Sequence, residues 1–169
     1  EALKIESSNI ETLTALSMYH ERRGDYTSML NYEEQIMLND NVPLSYRLDR
    51  IETLTSDRAF YGKNYIKLGS IIQRLAIAYP NNRKVIDCYA NHMIALGELE
   101  EAYNYLSRHL MDEETTPQHY IDIFQLGSYL GEDEMVKVWL GHAIERYPTN
   151  IDIITYTAFY ILERSEYKD

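Results

Sequence analysis

Apolar residues along this chain fall in blocks with a helical period. Leu99, Ala102, Tyr103, Leu106 and Leu110 recur three or four apart, as do Met135, Val136, Trp139, Leu140 and Ala143. The stretch before each block repeats the pattern. RKVIDCYANHMIAL (83–96) places Val85, Ile86, Tyr89, Ala90, Met93 and Ile94 on one face, and HYIDIFQLGSYL (119–130) does so with Tyr120, Ile123, Phe124 and Leu130. A glycine separates the members of each pair, Gly97 in one and Gly131 in the other, 34 residues apart. Glycine inside a helix costs about 1 kcal/mol relative to alanine, whereas it suits a helix C-terminus. The pattern therefore predicts helix A, a turn at Gly, helix B, and a loop at Pro.

The period extends along the chain. The dipeptide YP occurs at 79–80 and 147–148, a separation of 68, or twice 34. Gly24 opens GDYTSMLNYEEQIML, and Tyr26 follows it by two as Leu99 follows Gly97. Tyr65 lies 34 before Leu99 but 39 after Tyr26, leaving five surplus residues. Turn formers in NDNVPLSYR (39–47) place that surplus in this loop, with a helix A over 44–60. Four full repeats are expected, about 10–43, 44–82, 83–116 and 117–150, with partial repeats at both ends: EALKIESS as the tail of a helix B, and residues from 151 as a helix A entering its helix B at Ser165 and Tyr167.

These markers resemble the tetratricopeptide repeat. Ser17, Ser56, Ala90 and Ala158 match its small position in helix A, and Gly24, Gly97 and Gly131 match its turn. Ala102 matches the first alanine of helix B, Ala2 and Ala143 the second, and Pro80 and Pro148 the terminal proline. Three departures stand out, the first being residues 44–82, the weakest repeat, with Glu52 and Thr55 where apolar residues are expected. Phe124 occupies a normally small position while Gly127 stands one turn on, an exchange of volume between helical neighbours. His109 replaces the later alanine of its repeat.

The resemblance implies an all-α, right-handed superhelical solenoid of antiparallel helix pairs along the whole chain, each pair burying its apolar face against the next. It implies a concave groove lined by A helices that takes a peptide or partner helix, with Asp57, Tyr61, Lys84, Asn91, Gln125, Tyr129 and Phe159 as its contacts. Met18, Glu21, Phe60, Asp87, Ile94, Gln118, Ile121, Thr155 and Leu162 match neighbouring groove positions. Asn91, Gln125 and Tyr129 combine amide and aromatic chemistry suited to peptide groups and anchoring side chains. The carboxylate clamp of repeats that bind heat-shock chaperones is disfavoured. Lys84 and Asn91 fit it, but Asp87 stands where a cation is wanted.

Composition narrows the function classes. A net charge of −11 argues against nucleic acid and anionic membrane as partners of the chain as a whole. No apolar run approaches the roughly 18 residues that cross a bilayer. Cys88 is the single cysteine, which excludes an internal disulfide and a thiolate cage and is compatible with a reducing compartment such as the cytoplasm. The five histidines form no HExxH, and GxSxG, P-loop and GxGxxG motifs are lacking. His119 and Asp122, one turn apart, read as a surface pair. The acidic starts ELEE (98–101) and EDE (132–134) favour helix dipoles rather than metal. Cys88 reads as a buried structural thiol.

The expectation is a non-catalytic protein-interaction module with no cofactor and no metal. The competing expectation is a spacer or regulatory arm of a larger enzyme or envelope protein, its groove filled in cis. The last helix, 151–162, is expected to expose Ile154, Phe159 and Ile161 and so to promote self-association.

Overall fold

Three glycines punctuate the chain where a left-handed residue is needed. Gly24, Gly97 and Gly131 have φ of 71°, 80° and 78°, a region that residues bearing a Cβ adopt only at a cost. Each closes a helix by the same two bonds. Asp25 N–H donates to His20 O and Gly24 N–H to Glu21 O, both at 3.0 Å. Glu98 to Met93 with Gly97 to Ile94, and Glu132 to Gly127 with Gly131 to Ser128, repeat the pattern. This is the Schellman turn, which satisfies carbonyls that a helix end leaves open.

The computed structural model describes residues 9–166, with side chains through 163. Among the described residues there are nine α-helices and no strand: α1 (Ile10–Arg22), α2 (Tyr26–Met37), α3 (Leu44–Ser56), α4 (Arg58–Ala78), α5 (Arg83–Leu96), α6 (Leu99–Arg108), α7 (Pro117–Leu130), α8 (Asp133–Arg146) and α9 (Ile151–Glu166). The fold is an all-α helical repeat. The matches at Ala2 and Tyr167, and the EALKIESS segment, lie outside the described residues. Ser165 was expected at a turn, but α9 runs through it to Glu166.

Polar residues cap four of the five A helices, and α3 instead begins behind Pro43. Asn9, Asn82 and Asn150 each stand one residue before α1, α5 and α9, and each Oδ1 accepts from the backbone N–H three residues on, at 3.0–3.2 Å. Thr116 precedes α7, its own N–H donating to His119 Nδ1 at 2.9 Å.

The second pair departs from the expected layout. Helix A ends at Ser56, not 60. Asp57 alone makes the turn at φ −78°, and its Oδ1 caps the next helix at Ala59 N and Phe60 N (2.9 and 3.0 Å). The surplus residues therefore lengthen α4 to 21 residues, about 32 Å, rather than the loop at 39–47. The position aligned with Ser17 and Ala90 is then Ile51, which is buried, while Ser56 is exposed.

Two compact units divide the chain, Glu1–His92 and Met93–Asp169. In the first, α1 packs on α2 and α4 packs on α2 and α3. Its main core holds Met29, Leu30, Ile51, Leu54, Leu68, Ile71, Ile72 and Leu75. A charged seam lies beside it. Glu33, 4% exposed, accepts from Ser17 Oγ at 2.5 Å and from Arg50 Nε and Nη2 at 3.1 and 2.7 Å. Arg47, also buried, donates to Met37 O and Tyr79 Oη and stacks over the Tyr79 ring. Gly69 on α4 faces His92, and a Cβ there would collide with the imidazole.

In the second unit α7 packs on α6, α8 and α9, and α8 packs on α9. Tyr120, Ile123, Phe124, Val136, Ala143 and Ile153 are fully buried. A Cβ on Gly127 would lie 2.7 Å from Val136 Cγ2 and 2.9 Å from Tyr103 Cε2. Gly127 thus lets Val136 and Tyr103 approach α7, while the Phe124 ring packs near Tyr120 and Tyr156.

Candidate functional site

Each A helix carries an exposed stripe. Counting from the first residue of each helix, the second, sixth, ninth and thirteenth side chains fall on one face, since these steps stay close to whole turns. In the first unit these are Glu11, Ala15, Met18 and Arg22 on α1, and Ser45, Asp49, Glu52 and Ser56 on α3, all exposed. On α5 the stripe begins with Lys84, Cys88 and Asn91, of which only Cys88 is half-buried. In the second unit it holds Gln118, Asp122, Gln125 and Tyr129 on α7, and Asp152, Tyr156, Phe159 and Glu163 on α9, with only Tyr156 half-buried.

Lys84, Asn91, Gln125, Tyr129 and Phe159 lie on this stripe, as does Met18. Asp57 and Tyr61 do not, because the break at Asp57 puts both outside the A helix where they were expected. Asp57 caps α4, and Tyr61 sits in the first turn of α4 with its hydroxyl 2.6 Å from His92 Nδ1. Phe60 is half-buried, its ring 5.1 Å from Tyr26 in an edge contact. Ser45, Asp49 and Glu52 were missed, and the signal that finds them is the N-cap Asp57 behind Thr55 and Ser56.

Two aromatic residues of the α7–α9 stripe stand exposed. Tyr129 is 77% exposed and Phe159 62%. Between their helices, Tyr156 lies over Phe124, with ring centroids 5.1 Å apart, and its hydroxyl is 3.5 Å from Ser128 Oγ. Gln118 donates to Asp122 Oδ1 at 2.7 Å, so Asp122 is matched by an amide and not by His119. In the first unit Asp87 accepts from Arg83 Nε and Nη2 at 2.9 and 2.6 Å. This pairing offsets the Asp87 charge and weakens the argument from bare repulsion, but the position still lacks a cation.

Reactive chemistry is poorly served. Burial, with Asp87 and Glu52 adding to it, pushes the Cys88 thiol up to about 11, so thiolate is scarce near neutrality. Among the described residues no three His, Cys, Asp or Glu side chains converge to hold a metal, and no helix is long and apolar enough to cross a membrane.

A thermophilic TPR protein of Thermus thermophilus matches 95% of this chain and 86% of its own, with a TM-score of 0.52 and 18% sequence identity. The fold is that of the tetratricopeptide repeat. At this identity the likeness speaks for the fold. No protein-family model matches the sequence, and no curated protein matches it.

Proposed function

We propose that the chain binds a peptide or helix of a partner protein along the A-helix stripe, without catalysis. The supporting observation is the α7–α9 stripe, where two aromatic side chains stand exposed among polar neighbours. Aromatic anchors of this kind carry most of the energy in protein interfaces. In the first unit, taken by itself, Lys84 and Asn91 expose polar groups on α5 that can bond peptide groups.

The test begins with a partner captured from cell extract and identified by mass spectrometry. Its affinity is then measured by calorimetry against the double variant Gln125→Ala with Tyr129→Ala. We expect binding about tenfold or more weaker, with the circular dichroism melt unchanged. Unaltered affinity defeats the stripe assignment and leaves occupation in cis as the better reading.

A second contact follows from the other flank of α9, where Ile151, Ile154 and Ile161 are 76%, 47% and 60% exposed. Apolar area of this kind promotes association with another copy. Sedimentation velocity over a concentration series should show dimer that Ile154→Glu with Ile161→Glu removes. A monomer at every concentration defeats this reading.

A further inference from the structure

The stripe of the second unit has a chemistry that the binding reading above does not use. Among its eight positions are three carboxylates, Asp122, Asp152 and Glu163, and three aromatic rings, Tyr129, Tyr156 and Phe159. None of the eight is Lys or Arg. The other two are glutamines, one of which already bonds Asp122. The stripes of α1 and α5 in the first unit do carry cations, at Arg22 and Lys84.

Acids interleaved with aromatic faces suit one class of side chain. A Lys or Arg stem covers an aromatic ring while its charged end reaches a carboxylate. A cation over a ring face is attracted by the ring quadrupole, and the neighbouring carboxylate adds a Coulomb attraction that salt weakens. An acidic peptide would meet repulsion from three carboxylates and from the field of a chain carrying −11. Phe159 and Tyr129 have no charge to offer and instead provide apolar area for a neighbouring aliphatic side chain.

We propose that the α7–α9 stripe selects a peptide segment in which Lys or Arg alternates with aliphatic residues. This deepens the binding reading and rests on it. The cationic residues sit against Asp122, Asp152 and Glu163, and the aliphatic ones against Tyr129 and Phe159.

The probes are three fluorescein-labelled peptides of twelve residues. One carries three Lys–Leu pairs, one has Glu in place of Lys, and one has Ser in place of Leu. Fluorescence anisotropy with the full chain should show the Lys–Leu peptide binding about tenfold tighter than either of the others. That affinity should fall severalfold between roughly 50 and 300 mM salt, as exposed charge pairs are screened. Asp122→Asn with Asp152→Asn should weaken it about tenfold. Glu100→Gln with Glu101→Gln, the same charge change on exposed α6 positions, should leave it unchanged. Equal loss in the α6 variant, or equal affinity for the Lys–Ser peptide, means general attraction to an acidic surface and overturns the proposal. Suppose binding falls in Tyr129→Ala with Phe159→Ala but ignores both the Asp variants and salt. The stripe then still binds, and the cationic partner class is wrong. If neither pair of variants changes binding, both readings fall.

Discussion

The two units solve the same packing problem with opposite chemistry. In the first, the contact among α1, α2 and α3 contains a buried carboxylate, with Ser17 and Arg50 converging on Glu33. In the second, the contact among α6, α7 and α8 is steric, with Val136 and Tyr103 packed against Gly127 beside the buried Phe124 ring. Helix pairs of one fold therefore need a fixed separation more than a fixed kind of contact. The two kinds should fail differently, because a steric seam loses volume while an ionic one leaves a stranded charge.

The largest effect is expected on the steric side. Phe124→Ala should cost about 3–5 kcal/mol by urea denaturation, the usual loss for a fully buried ring. A cost below about 1 kcal/mol would mean that α7 collapses onto the space. Next comes Glu33→Ala, which strands the buried Ser17 hydroxyl and leaves Arg50 only the Glu21 carboxylate at 3.6 Å, at a cost of about 2–3 kcal/mol. Replacing all three groups, with Glu33→Leu, Arg50→Met and Ser17→Ala, should recover most of that loss. If the triple variant is no better than the single, the carboxylate does more than keep a distance, and the contrast between the units breaks.

Gly127→Ala sharpens the contrast from the other direction. Its Cβ would press on Val136 and Tyr103, and overpacking of this kind costs about 1–3 kcal/mol. Adding Val136→Ala should relieve the clash, so that the double variant is more stable than the two separate costs predict. Strict additivity in the thermal melt would argue against a shared contact.

The smallest of these effects is a pH response. Burial, with Glu132 adding to it, raises the Tyr103 phenol above its ordinary value of 10.0. The folded state favours the neutral phenol. The resulting stability is complete below the unfolded value and is lost as pH rises through the folded one. Denaturation midpoints should therefore fall above about pH 10, and Tyr103→Phe should flatten that limb. A variant with the same alkaline slope would place the response elsewhere, for example at Tyr160, whose phenol burial also raises.

Much of this fold is written in periodic marks. The turns at Gly24, Gly97 and Gly131 are visible because a left-handed backbone all but requires glycine, and the helices between them because apolar residues keep the helical period. The turn at Asp57 escapes that search for a physical reason. Its φ of −78° suits any residue, so neither Gly nor Pro marks it. The only local sign is a capping carboxylate, and reading past it shifted the second helix A by several residues and put Asp57 and Tyr61 on the wrong helix. The exposed positions on α5, α7 and α9 were legible because the 34-residue spacing carries them from one repeat to the next. Helix contacts such as Gly69 against His92 were not, since they depend on which neighbour a helix meets.

The three glycine turns have a further consequence. At Gly24, Gly97 and Gly131 a Cβ would meet nothing within 4 Å, so changing each to alanine introduces backbone strain of about 1 kcal/mol and little else. The chain thus carries one perturbation in three replicates. Equal strain at three sites should produce equal losses if the molecule unfolds as one body. Unequal losses would instead measure how far each turn opens independently of the rest. Because the local chemistry is held constant, the spread among the three variants is a direct gauge of cooperativity along the array.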